Sequence, residues 1–235
     1  MYERCQELIN LYTAILDDMR MQEHVNEVSV AFSYGVLSYL GMDFKTAFES
    51  SASGMILNIT EEPDNEIEQL IQNGQLGLGV IGMPMNLSSY EIEPLFSCRH
   101  VAVVNDKSVL AEKAILDYWD LDHQAIALVG HQFNPYHQNI YRFKRAGITP
   151  ESLYETSEIN FTHSYAAQNK GIGISVDFVA QDNPYPNTRV LHFKDAGFTW
   201  DVCLVLRKGY HPTKAEQFFI TFIKKYLECN KRNGT

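Results

Sequence analysis

From Val28 to the C-terminus the sequence alternates short apolar runs with stretches of helical periodicity, and this alternation restricts the chain to layered α/β architectures. Val28 to Ser33, Met55 to Thr60 and Leu76 to Ile81 read as strands. Leu37 to Ser50 and Asp64 to Asn73 read as the helices between them, with Gly74 where a helix C-cap belongs. A long strand-like stretch, Tyr90 to Asn105, follows and is a candidate crossing between lobes. A second series then runs through a short helix at Ile115 to Trp119, a strand at Ala125 to Val129, a helix at Pro135 to Arg145 and a strand at Leu153 to Thr156. It ends with a helix at Phe161 to Asn169 and strands at Ile172 to Ser175, Arg189 to Phe193 and Trp200 to Leu206. Lys214 to Leu227 is the closing helix, with Phe218, Phe219, Phe222 and Ile223 on its apolar face.

Residues 1 to 24 contain neither Gly nor Pro, and Cys5, Leu8, Tyr12, Ile15 and Met19 recur at spacings of three and four. That spacing is the seam of a coiled coil, the mark of a helix that pairs with a second copy. The alternative is that the stripe packs on the chain's own body, since Ile9, Leu11 and Leu16 widen it.

The charge balance, 19 basic against 29 acidic residues, argues against nucleic acid as a direct partner, because a polyanion is repelled by a surface of net charge -10 without a basic stripe. The densest basic run, Lys224, Lys225, Lys231 and Arg232, reads as a solvated helix end. No window is apolar enough to span a bilayer and the first residues do not form a signal peptide, so a cytoplasmic protein is expected. The cysteines, Cys5, Cys98, Cys203 and Cys229, are scattered, as suits reduced thiols.

Familiar chemical motifs are missing or out of place. Gly77, Gly79 and Gly82 match G-x-G-x-x-G, yet they lie within a strand and are followed by Met83-Pro84, whereas a dinucleotide fingerprint opens a helix. The eight histidines form no pair at metal-ligand spacing, and there is no nucleophile elbow or P-loop. The expectation is therefore a protein without metal or cofactor, and not an enzyme.

The stretch Asn65 to Val80, in which a helix ends at Gly74 and Leu76-Gly77-Leu78 follows at once, resembles the signature of LysR-type transcriptional regulators, with Gly77 where that family usually has an aspartate. Further matches come in the family's order. They are Glu93-Pro94-Leu95-Phe96 to Val104 with Ser108 to Ala111, Ala125 to Leu128, Ala167 with Gly171 to Ser175, and the close at Leu204 to Lys208 and Phe218-Phe219. The resemblance covers essentially the whole chain. It implies the effector-binding domain of such a regulator, with a two-lobed fold like type II periplasmic binding proteins, each lobe a mostly parallel sheet flanked by helices. Lobe I would comprise residues 25–103 and 205–235, lobe II residues 104–204, and residues 1–24 the linker helix that joins the sensor to a winged helix-turn-helix upstream of Met1. The implied partners are a small-molecule effector and further copies of the chain, as dimer or tetramer, with DNA reached only through the missing domain and no membrane.

In such folds the ligand lies where strands end and loops turn into helices. The residues at those positions are Ser33, Tyr34, Gly82 and Met83 in lobe I, and His131, Gln132, Asn134, Glu158, Asn160, Phe161 and Thr162 in lobe II. Phe198 precedes the returning strand and is a candidate wall. Six of them have a structural alternative: Ser33 and Thr162 as helix caps, Tyr34, Phe161 and Phe198 as core, His131 as a loop histidine. Few basic side chains fall at these turns and Glu158 adds negative charge, so a strongly anionic effector with several carboxylates is not favoured and the identity of the ligand stays open. The competing functions are a freestanding binding protein or enzyme of the same fold, or a dimerisation module with an empty cleft.

Overall fold

The computed structural model describes residues 26–52, 54–84 and 86–230. The expected linker helix and its seam, Cys5, Leu8, Tyr12, Ile15 and Met19, lie outside the described residues. Two compact units divide at Phe96/Ser97 and at Asp201/Val202, so that unit 2 is the insertion Ser97–Asp201 and unit 1 takes the chain on either side of it.

In unit 1, β1 (Glu27–Ser33), β2 (Ile56–Glu62) and β3 (Leu78–Gly82) are parallel, with Val30 opposite Ile59 and Ala31 opposite Gly79. The returning strand β9 (Thr199–Arg207) adds antiparallel to β3, with Val80 opposite Leu204, and the order is β2-β1-β3-β9. β3 is buried at every position, as expected of a strand covered on both faces. One cover is α3 (Asp64–Gln72), whose Ile67 and Ile71 are fully buried. A Cβ on Gly79 would stand 2.5 Å from Ile67 Cγ2 and 2.8 Å from Ile71 Cδ1, so this glycine serves helix–sheet contact, whereas Gly77 lies ahead of β3 against Tyr210 and Glu216. α3 ends in a Schellman motif, the Gln75 N–H donating to the Leu70 carbonyl at 2.8 Å and the Gly74 N–H to that of Ile71 at 3.1 Å. The closing helix α7 (Lys214–Cys229) begins with a reciprocal capping box between Thr213 and Glu216. Its Phe219 meets Phe32 and Phe44 edge-on and Phe48 at a tilt, in one aromatic core.

The single helix expected over Leu37 to Ser50 is two, α1 (Val36–Leu40) and α2 (Phe44–Ser51). Gly41 adopts φ 89° between them, a left-handed turn that ends α1 and lets Asp43 start α2 in a new direction.

In unit 2, β5 (Ala125–Val129) is parallel to β6 (Ser152–Thr156) and to β7 (Ile172–Val176). The sixteen-residue β4 (Tyr90–Asn105) runs antiparallel to β7, and β8 (Thr188–His192) runs antiparallel to β4. The helices α4 (Asn134–Ala146), α5 (Ile159–Ala167) and the short α6 (Asp177–Asp182) connect them. The helix expected at Ile115 to Trp119 does not form. Leu116 bridges to Phe193 instead, and the turn comes later as a 3-10 helix, Tyr118–Leu121, capped reciprocally by Asp117 and Asp120.

α5 rests on β7 at Gly173, where an added Cβ would land on the Thr162 carbonyl well inside van der Waals contact. Because the obstacle is backbone, the helix itself has to move. Gly173→Ala is therefore expected to destabilise the chain by about 2 kcal/mol or more, seen as a lowered midpoint in a urea titration. An unchanged midpoint would show that α5 can lift at no cost.

Candidate functional site

The C-terminal ends of the parallel strands mark one edge of each unit. In unit 1 that edge carries Ser33 at the end of β1, fully buried, and Tyr34, which is 43% exposed. Gly82 closes β3, and its N–H donates to the Asp64 Oδ1 at 3.1 Å. Asp64 is a carboxylate only 1% exposed, in the first turn of α3, where the helix dipole favours its negative charge. It fixes the end of β3 to the start of α3. Met83, half-buried, packs against the core formed by Ile67, Ile71 and Ile81.

In unit 2 the edge is richer in side chains able to make polar contacts. Gly130 follows β5, its N–H donating to the Thr156 carbonyl at 2.8 Å. His131, next in the chain, holds Glu155 twice: its backbone N–H donates at 3.2 Å and its ring Nδ1 lies at 2.8 Å from the same Oε2. The His131 hydrogen bond keeps the Glu155 carboxyl below its ordinary pKa. His137 Nε2–H donates to the His131 carbonyl at 2.8 Å and closes the loop from the other side. Gln132 is half-buried over Gly130, and Asn134 is the buried first residue of α4.

The turn into α5 is held by Thr156, whose Oγ1 accepts from the Glu158 N–H at 3.1 Å. Glu158 and Asn160 are exposed. Phe161 stacks on Tyr154, ring centroids 5.1 Å apart and planes at 21°, with both rings accessible. Thr162 lies deeper: it is fully buried and its hydroxyl donates to the Ile159 carbonyl at 2.7 Å, so it packs α5 on β7 and caps nothing. Phe198 is 1% exposed, edge-on to Phe193 at 4.8 Å, which makes it part of the unit 2 core.

Several groups at this edge escaped the sequence reading. Asp64 follows Pro63 at a helix start and was open to notice as an acidic first-turn residue. Glu155 was not, because its partner is 24 residues away. The same holds for a buried polar line in unit 2. His100 Nδ1–H donates to the Ser175 carbonyl at 3.2 Å, and the Ser175 hydroxyl meets His163 Nε2 at 2.7 Å. Burial, with the Arg142 charge adding to it, pushes the His100 imidazole down to about 4. Burial also lowers His163.

Among the described residues, no group of three or more His, Cys, Asp or Glu side chains is arranged to hold a metal ion, and no helix is long and apolar enough to cross a membrane.

Comparison with known proteins converges on one family. An uncharacterized HTH-type transcriptional regulator of Bacillus subtilis (strain 168), YwbI, is 20% identical over 187 residues, covering 80% of this chain and 62% of its own length. The chain thus spans a little under two thirds of that relative. The effector binding domain of QuiR, solved in complex with shikimate, superposes with a TM-score of 0.76 at 17% identity, over 88% of this chain and 99% of that one. The regulatory domain of Synechocystis PCC6803 CcmR, in complex with 2-PG, gives a TM-score of 0.76 at 13% identity, over 89% and 99%. Those likenesses establish the two-lobed fold. The family model of the LysR substrate binding domain matches residues 22–228, nearly the whole chain, and the chain belongs to that family as an effector-binding domain of the LysR type.

Proposed function

We propose that this chain is the sensing part of a transcriptional regulator and takes up a small-molecule effector. The observation that carries the reading is the unit 2 strand edge, where accessible polar and aromatic groups, His131 with Glu155 and Phe161 with Tyr154, gather around the starts of α4 and α5. The contacts proposed are Ser33, Tyr34, Gly82 and Met83 from unit 1, and His131, Gln132, Asn134, Glu158, Asn160 and Phe161 from unit 2, with Thr162 and Phe198 supporting them from behind. QuiR and CcmR are solved with shikimate and 2-PG, and a molecule of that size class is the effector proposed here.

The output proposed is a change in the arrangement of a homo-oligomer, dimer or tetramer, through residues 1–24, the linker expected from the sequence. A ligand achieves this only by binding one arrangement more tightly than another. DNA is contacted by a domain outside this chain, the regulator works in the cytoplasm, and the sensing part catalyses no reaction.

A thermal-shift screen of small metabolites tests the reading. At a hundredfold excess over Kd, the bound state gains about 2.7 kcal/mol, expected as a rise of roughly 5–10 °C in Tm. Ser33→Ala and Asn134→Ala should each shrink that rise. A broad library without any saturable shift would refute the sensor function.

A further inference from the structure

Unit 2 keeps three polar side chains whose buried atoms have no hydrogen-bond partner among the described residues: His100 at Nε2, Asn139 at both amide atoms and Arg142 at Nη1. Folded proteins rarely leave such atoms unpaired, and three in one unit ask for a cause. They are also neighbours. The His100 ring lies 4.5 Å from the Phe198 ring, and the Arg142 guanidinium lies 5.1 Å from the centre of that same ring. Asn139 is one turn before Arg142 on the inward face of α4 and is itself 1% exposed.

The atoms have definite hydrogen-bonding characters. His100 spends its Nδ1–H on the Ser175 carbonyl, and the buried ring is neutral, so Nε2 is a bare acceptor. Arg142 offers an N–H on a permanent cation, and Asn139 offers one donor group and one acceptor. The complement of this set is a small molecule with an anionic acceptor for Arg142 and a hydroxyl that donates to His100 or Asn139. A second cation, such as the ammonium of an amino acid, would be repelled by the guanidinium.

An approach exists beside the cluster. Tyr118 packs edge-on to Phe198 at 5.2 Å, accepts from Arg142 and donates to Asp195 Oδ2 at 3.3 Å. The same Tyr118 and Asp195, with Phe193 and Lys194, line a cavity of about 370 Å³. Tyr118 thus touches both the Arg142 guanidinium and that cavity.

We propose that His100, Asn139 and Arg142 form a second binding site, inside unit 2, for a small hydroxy-carboxylate. It shares only Phe198 with the residues named for the effector above. Its occupation would replace the missing hydrogen bonds of the buried groups, and discrimination would rest on the hydroxyl, because a ligand lacking it leaves an acceptor unpaired.

Titration calorimetry of the chain with lactate and with salicylate, against propionate and alanine, tests the site. Saturable binding of a hydroxy acid is expected, about tenfold tighter than that of propionate, with no heat from alanine. Arg142→Gln and Asn139→Leu should each weaken it by about tenfold or more, circular dichroism confirming that both remain folded. Should either variant fail to fold, the ¹⁵N shift of His100 Nε2 in the unaltered chain decides, since a new hydrogen bond there moves it on adding lactate. No saturable heat from either hydroxy acid, or an unmoved Nε2 resonance, would mean that the groups are paired by water alone. Binding retained in Asn139→Leu but lost in Ser33→Ala would place the ligand at the strand edges and equally overturn the proposal.

Discussion

Cutting Phe219 back to alanine should destabilise the chain by about 4 kcal/mol. Phe219 is fully buried and stands at the centre of an aromatic cluster, with Phe48 at 5.8 Å, Phe44 at 6.3 Å and Phe32 at 6.4 Å. Phe32 lies on β1 and Phe44 and Phe48 on α2, so the cavity left on α7 by truncation is walled by two other elements. They cannot both close in together, and an unfilled cavity keeps its full cost. Phe218, the preceding residue, is only partly buried and meets Phe48 alone among the cluster's rings named here, at 5.7 Å. Phe218→Ala should cost clearly less. Urea titrations of both variants, followed by far-UV circular dichroism, check the pair, and equal losses would show that the cluster is not centred on Phe219.

The second large effect is a loss of stability on mild acidification, traced to His100. Its imidazole takes a proton near 6.5 when unfolded but only near 4 in the folded chain, because burial penalises the charge and Arg142 adds repulsion. Between those values the unfolded chain binds more protons, so stability falls as pH falls. The full loss is about 3 kcal/mol, present at pH 7 and gone by about pH 4. His163, lowered by burial as well, acts in the same direction. His100→Gln should flatten the profile between pH 6.5 and 4.5, because the glutamine does not titrate. Parallel slopes for the two proteins in that window would exclude His100 as the source.

How far the sequence reveals this molecule depends on the range over which each feature is determined. Strands with dense β-branched and apolar runs are local facts, and β4 (Tyr90–Asn105) and β5 (Ala125–Val129) form over the same residues that the pattern indicates. Gly41 shows the limit. The apolar spacing of Leu37 to Ser50 continues across it, so periodicity alone reads one helix, and the break comes from backbone conformation at one residue. Around Leu116 a tertiary bridge to Phe193 overrides the local helical pattern. α6 is six residues long and carries too little periodicity to be seen.

At the candidate site the turns were legible, because strand ends and helix starts are written in the chain. The charges that matter there were not. Glu155 reaches His131 from a neighbouring strand, and Asp64 reaches Gly82 across 18 residues. The side chains with unpaired buried atoms, His100 on β4 with Asn139 and Arg142 on α4, become a group only when α4 is laid against the sheet.

The insertion of unit 2 between β3 and β9 bears on how the chain folds as it is made. β3 needs β9 as its antiparallel neighbour, Val80 opposite Leu204, yet all of Ser97–Asp201 leaves the ribosome between them. Unit 2 can therefore complete its own sheet while β3 still has one edge open, and the last helix, α7 with Phe219, arrives later still. During that interval β3 presents an apolar strand with unpaired backbone groups. Slowing translation just before β9 would lengthen the exposure and should favour aggregation of the nascent chain, whereas slowing it before β5 should be harmless.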